Sequence, residues 1–226
     1  RDIFARRSIA SIAKLVTAMV ILDTHKLEEK VIVSTNAASQ EGSRMWLAAG
    51  EEITIGSLLT GLLVNSGNDA AVALAESDAG SEQAFVAKMN QKAASLNLKD
   101  THFSNAKGFD DNRNYSTAYD TMVFSRAAYQ YKFIRDAGEI KKGSVTSADG
   151  SIKHVLESTN ELLEDPHFAI KGLKTGTTPL AGESYVSVFE TPSGRLVLSV
   201  VLGSPERFKE TKILLDWITR NFIFPN

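Results

Sequence analysis

Residues 11–24 read SIAKLVTAMVILDT, and the placing of their apolar side chains decides the fold. Ile12, Leu15, Val16, Met19, Val20 and Leu22 cover so broad an arc at helical spacing that the segment predicts a helix buried on most sides. A helix of that kind needs neighbours all round it. Residues 55–64 (IGSLLTGLLV) and 68–76 (NDAAVALAE) predict two more, broken by a tight turn at Ser66-Gly67. Residues 81–96 are amphipathic, and 116–133 predict a helix with Ser116 as its cap. Residues 30–34 (KVIVS) are a short strand candidate. From about residue 140 the period changes. Residues 144–146 and 152–156 flank Asp149-Gly150, a hairpin signal, and 185–189 and 195–202 are β-rich runs joined by Thr191-Pro192-Ser193-Gly194. Ser204-Pro205 opens a last helix through Trp217 and Ile218. The pattern predicts an α+β arrangement, an antiparallel sheet covered by helices beside a mostly helical part at about 25–140, with late strands and a closing helix at about 141–226. No repeat or linker divides the 226 residues, so one domain is expected.

Composition excludes several classes of function. The chain is 43% hydrophobic and 23% charged, with 25 Lys plus Arg against 27 Asp plus Glu and a formal net charge of -2. No block of like charge offers itself to a nucleic acid or an anionic membrane. No apolar run is long enough to cross a bilayer, and residues 1–10 lack the pattern of a secretory signal. With no cysteine there is no thiolate metal site, disulfide or cysteine nucleophile. The four histidines, His25, His102, His154 and His167, are too scattered for a metal-binding motif. Neither a metal nor an organic cofactor is expected.

Three short strings carry possible chemistry: Ser11-Ile12-Ala13-Lys14, Ser66-Gly67-Asn68 and Lys174-Thr175-Gly176. With 22 serines and 15 lysines in the chain, chance yields about 1.5 SxxK strings, and a second does occur at Ser104–Lys107. SxN recurs at Ser95–Asn97 and Ser158–Asn160. Lys-Thr-Gly is expected by chance only about 0.07 times. Ser11 and Lys14, three apart on a helix, share a face one turn apart, so the amine can reach the hydroxyl. A lysine serves as a base near neutrality only if its pKa falls by roughly three units, about 4 kcal/mol. The apolar surroundings and a second cation such as Lys174 favour that loss. At the start of the helix the Ser11 amide is available to an oxyanion. Ser104–Lys107 lies in a polar, glycine-containing stretch and is set aside. In the bland reading Ser11 is an ordinary helix N-terminal serine, Lys14 a surface lysine, Ser66-Gly67-Asn68 a cap and Lys174-Thr175-Gly176 a strand start. In the functional reading Lys174 meets a substrate carboxylate, Thr175 adds a hydrogen bond, and Gly176 lets substrate backbone approach.

The order SxxK, SxN, KTG resembles that of class A β-lactamases and penicillin-binding proteins. The stretches RRSIASIAKLVTAMV, LLTGLLVNSGNDAAVALAE, THFSNAKGFDDNRNYST and STNELLEDPHFAIKGLKTGTT are similar, in order from residue 6 to residue 178, to blocks of the low-molecular-mass penicillin-binding proteins, the serine D-alanyl-D-alanine carboxypeptidases. The resemblance implies a β-lactamase/transpeptidase-like fold and an acyl-transfer enzyme of the bacterial cell wall, acting on peptidoglycan stem peptides outside the cytoplasmic membrane and acylated by β-lactams. It implies Ser11 as nucleophile, Lys14 as acylation base, and Ser66 and Asn68 as orienting groups. Lys174, Thr175, Gly176, Thr177 and Arg207 would hold the substrate, Arg207 standing near the end of the final strand, and the amides of Ser11 and Thr177 would form an oxyanion hole. In this family two strands precede the SxxK helix, so the native polypeptide is expected to be longer, three late strands alone leaving a bare sheet edge beside the nucleophile. Many relatives also carry a C-terminal β domain and an amphipathic anchor; this chain ends at Asn226 after its last helix, so it is expected to be either a short member or one from which those parts are absent, and any membrane association would come through such parts. A DD-endopeptidase would use the same residues. A class A-like β-lactamase would need a further carboxylate to activate water, for which Glu157-Ser158-Thr159-Asn160 is the nearest approach. A non-enzymatic peptidoglycan-binding domain would have no need of Ser11, Lys14 and Lys174 together.

Overall fold

The computed structural model describes residues 2–222. At its centre Ala10–Ala13 forms a single 3₁₀ turn that runs into α1 (Lys14–Thr24). Every residue from Lys14 to Ile21 is buried, as an all-round apolar helix requires. Full burial of Ile12, Leu15 and Met19, each worth roughly 1.5–3 kcal/mol, offsets the cost of taking the Lys14 amine out of water in the same turn. The 3₁₀ start differs from the continuous helix expected from residue 11. Ala10 is left-handed, at φ 48°.

The helical layer closes round α1. Strands β1 (Lys30–Ile32) and β2 (Glu52–Thr54) pair antiparallel and bracket the short α2 (Thr35–Ala38). Helix α3 (Ile55–Val64) is capped by Thr54, whose hydroxyl accepts from the Ser57 amide, and α4 (Asn68–Ala79) follows across the Ser66-Gly67 turn, as the sequence predicts. Helix α5 (Glu82–Ser95) is capped by Ser81 and α6 (Ala118–Ala128) by Thr117. The expected cap Ser116 lies one residue too early. The run expected to reach residue 133 is broken after Ala128, and α7 (Lys132–Gly138) resumes after a short turn. α1 packs against α3, α4, α5 and α6.

Strands β3 (Lys142–Thr146) and β4 (Lys153–Glu157) form the hairpin signalled by Asp149-Gly150, with Gly150 at φ 76°. The main sheet has the order β5-β6-β7, from β5 (Ala169–Thr178), β6 (Gly182–Glu190) and β7 (Leu196–Ser204), all antiparallel. Its register sets Lys174 opposite Val186, Thr175 opposite Tyr185 and Gly176 opposite Ser184. Helix α8 (Arg207–Asn221) lies over β6 and β7, where Tyr185 meets Phe208 edge to face with ring centroids 5.5 Å apart.

Two expectations change here. The Lys-Thr-Gly string does not start a strand but lies deep inside β5. The sheet edge beside Ser11 is not bare, because β5 packs against the 3₁₀ turn; β7 forms the other edge of the sheet. Among the described residues no helix is long and apolar enough to cross a membrane.

Candidate active site

Lys14 is fully buried, and its amine lies 2.7 Å from Ser11 Oγ, 2.8 Å from Asn68 Oδ1 and 2.7 Å from the Lys107 carbonyl oxygen. The orientation of the Asn68 amide follows from its neighbours. Its Nδ2 donates to the Glu41 carbonyl at 2.6 Å, and a carbonyl only accepts, so Oδ1 must face Lys14. The Asn68 backbone amide donates to Ser43 O at 2.7 Å. Ser66, two residues earlier, is buried and left-handed at φ 57°. It makes no hydrogen bond to Ser11, Lys14 or Lys174.

The third wall comes from β5. Gly176 presses on the 3₁₀ turn so closely that a Cβ there would stand 2.9 Å from the Ser11 nitrogen and 3.0 Å from Ala10 Cβ. Side chains two apart on a strand share a face, so Lys174 extends toward the same turn from inside the sheet. It is 1% exposed, and its amine donates to its neighbour's carbonyl, Thr175 O, at 3.0 Å. Thr175, on the opposite face, sets its hydroxyl 2.5 Å from that of Thr159. Arg207 is the first residue of α8 and not part of the last strand, which ends at Ser204; the turn between them is held by the Glu206 amide donating to Ser204 Oγ at 2.9 Å. From there Arg207 Nη1 donates to the Gly176 carbonyl at 3.2 Å and to Thr177 Oγ1.

The electrostatics follow from burial and crowding of cations. Burial holds the Lys14 amine well below the ordinary lysine value, with Lys174 and then Lys107 adding repulsion and Asp69 opposing them. Lys174 is pushed down to about 7, by burial first and Arg207 second. The Ser11 amide has no hydrogen-bond partner among the described residues, which leaves a donor beside the hydroxyl. The arrangement is a serine hydroxyl on a depressed lysine, with a second depressed lysine and a guanidinium along one strand.

A family model described as D-alanyl-D-alanine carboxypeptidase, peptidase family S11, matches residues 1–206. The chain belongs to the D-alanyl-D-alanine carboxypeptidase family. Within the S11 family it is 35% identical over 223 residues to the D-alanyl-D-alanine carboxypeptidase DacF of Bacillus subtilis, a match covering 94% of this chain and 56% of that protein. The chain thus spans a little over half the length of such curated relatives. The crystal structure of the Streptomyces K15 DD-transpeptidase superposes with a TM-score of 0.87 at 29% identity, covering 95% of this chain and 88% of that one. An evolved penicillin-binding protein homologue from Mycobacterium tuberculosis superposes with a TM-score of 0.90 at 29% identity, covering 100% of this chain and 87% of that one. The α+β, transpeptidase-like fold expected from the sequence is the fold of these S11 relatives.

Sequence reasoning missed one wall of the site and misread one glycine. In Ser104–Lys107, set aside as a chance SxxK, the Lys107 amine turns to Gln40 Oε1 at 2.5 Å, yet the backbone of the string closes the pocket. The Lys107 carbonyl accepts from Lys14, and the Ala106 carbonyl accepts from Thr17 Oγ1 at 2.6 Å. Gly108, at φ 76°, allows this approach: a Cβ there would lie 2.0 Å from the Ala10 carbonyl oxygen. A glycine directly after the dismissed string was the available signal. Gly176 was assigned to the approach of substrate backbone, but the space left by its missing side chain is filled by this chain's own Ala10 and Ser11.

Proposed function

We propose that the chain is the catalytic unit of a serine DD-peptidase, in which Ser11 attacks the peptide bond between the two terminal D-alanines of a peptidoglycan stem. One observation carries this reading: a buried lysine amine held between Ser11 Oγ and two carbonyl oxygens. A neutral amine has two N–H donors and one lone pair. Asn68 Oδ1 and Lys107 O are acceptors only and take the two donors, so the lone pair is left for the Ser11 proton.

The reaction then balances as follows. Lys14 Nζ takes the hydroxyl proton as Ser11 Oγ bonds to the carbonyl carbon, and the oxyanion gathers at the amides of Ser11 and Thr177. Collapse breaks the C–N bond. Lys14 returns its proton to the departing amine, which the Ser66 hydroxyl orients, and D-alanine leaves. Water then cleaves the ester and restores the Ser11 hydroxyl. At the edge of β5, Lys174 from one face and Arg207 from the other hold the terminal carboxylate through charge-assisted hydrogen bonds, and the Thr175 hydroxyl adds a third by turning from Thr159. A β-lactam presents a strained amide with a carboxylate similarly placed, so the same steps acylate Ser11. The work is done on the outer face of the bacterial cytoplasmic membrane, where this polymer lies.

The β-lactamase alternative is disfavoured by where its nearest carboxylate sits. Glu157, exposed on β4, is spent on an ion pair with Lys142 at 2.9 Å, and Asn160 caps the turn at Glu161–Glu164. The endopeptidase alternative differs only in which amine leaves. Mass spectrometry of products from an uncross-linked pentapeptide and a cross-linked muropeptide separates the two. Free D-alanine from the pentapeptide is the expected result. Cleavage of the cross-link alone replaces carboxypeptidase by endopeptidase, and intact substrates in both cases refute the proposal.

A further inference from the structure

We propose that Trp46 is a saccharide-stacking subsite for the glycan that carries the stem peptide, an inference that rests on the DD-peptidase reading above. Trp46 is 70% exposed and left-handed, at φ 66°. Bulky side chains rarely adopt that backbone region, and a tryptophan there is costly unless its surroundings enforce it. Here they do. The amides on either side of it, those of Met45 and Leu47, donate to the two carboxylate oxygens of Asp69 at 3.1 Å each. Met45, Leu47 and Asp69 are all buried. The clamp thus fixes both flanking residues in the core and turns the indole outward, where it adds nothing to packing. One face of the ring is taken: the Arg44 guanidinium carbon lies 3.9 Å from its centroid, which holds the ring in place.

The turn that presents Trp46 is fastened to the catalytic turn, and on its other side the Met45 carbonyl meets His154 Nδ1 at 2.8 Å. Asp69 directly follows Asn68. The Glu41 and Ser43 carbonyls accept from the side-chain and backbone nitrogens of Asn68, and the Arg44 carbonyl accepts from Asn65 Nδ2 at 2.5 Å. A rigid, flat, one-sided aromatic surface is suited to the C–H face of a pyranose ring, since indole pairs a large apolar area with little entropy to lose. A peptide seated at Ser11 brings its glycan along by covalent attachment, so the sugar lies within the reach of the stem, about 15 Å for four extended residues. Trp46 is an exposed aromatic held rigidly to that site.

The test compares two substrates: a D-Ala-D-Ala pentapeptide alone and the same pentapeptide linked to its disaccharide. Wild type is expected to favour the sugar-bearing substrate by about tenfold in kcat/KM. Trp46→Gly, which keeps the left-handed turn without strain, is expected to erase that preference through KM while melting no lower than wild type. Its acylation by benzylpenicillin, which has no glycan, should change less than twofold, and Trp46→Tyr should restore part of the preference. An unchanged preference, or equal losses on both substrates, overturns the subsite. If wild type hydrolyses neither substrate, the DD-peptidase reading fails and the subsite is judged separately. The emission of Trp46 in a Trp217→Phe background is then titrated with the tetramer of β-1,4-linked N-acetylglucosamine; a saturable change supports the subsite and its absence overturns it.

Discussion

Lys14→Met is expected to slow acylation by benzylpenicillin at least a thousandfold at pH 7.5 while leaving a folded protein. A positioned base typically contributes 10²–10⁴-fold, and in the proposed mechanism Lys14 is the group that accepts the proton. Methionine matches the chain length of the buried side chain and removes a cation that burial penalises. It also strands the acceptors Asn68 Oδ1 and Lys107 O, at about 1–3 kcal/mol each. These terms oppose one another, so the melting temperature should move far less than the rate. Stopped-flow acylation paired with thermal denaturation checks both halves. A variant acylated within tenfold of wild type would show that the proton goes elsewhere. In wild type the rate should fall as pH drops through the depressed pKa of Lys14, because protonation consumes the lone pair.

The second large effect concerns stability, and its sign is set by Lys174. Unfolded, this amine titrates near its ordinary 10.5; folded, at about 7. Between those values the unfolded chain holds a proton that the folded chain has shed, so stability rises with pH across the window. Below pH 7 both forms are protonated and the full penalty stands, on the order of 5 kcal/mol for a shift of this size. Lys174→Met is therefore expected to be more stable than wild type at pH 6.5, by roughly 2–5 kcal/mol, with the gap closing by pH 10. Urea unfolding of the two proteins at both pH values measures it; a gap that stays constant or widens toward pH 10 contradicts the assignment. The same substitution removes repulsion from Lys14, so the acidic limb of the acylation profile should move to higher pH even as substrate binding weakens.

The two predictions share a physical basis that was partly legible in the amino-acid order. The all-round apolar run after Ser11 specifies a buried helix, and a lysine within it must then be buried too. The break at Ser66-Gly67 and the hairpins at Asp149-Gly150 and Thr191–Gly194 were read from turn residues whose backbone demands are local, whereas the β5-β6 hairpin was not. What escaped was the part made by backbone atoms at long range. The Lys107 carbonyl reaches Lys14 across 93 residues, and a carbonyl belongs to every residue type, so nothing in the string marked it. Thr117 took the cap from Ser116 because either hydroxyl suits that position and the choice depends on where the chain leaves the Arg7–Ser116 bridge. Arg207 was expected near the end of the final strand, and it stands just beyond Ser204, at the start of the helix that Ser204-Pro205 signals. Lys174-Thr175-Gly176 was legible as chemistry but not as the middle of a strand, since polar residues buried on both faces break the usual alternation.

The central claim, that Ser11 is the nucleophile of a site closed by Lys14 and Lys174, is tested most directly by locating a penicillin adduct. Trypsin releases residues 8–14, SIASIAK, which hold two serines, Ser8 and Ser11. After brief exposure to benzylpenicillin, fragmentation of that peptide is expected to carry the added mass on Ser11 and none on Ser8. An adduct on Ser8, Ser66 or Ser104, or one that persists in Ser11→Ala, would contradict it.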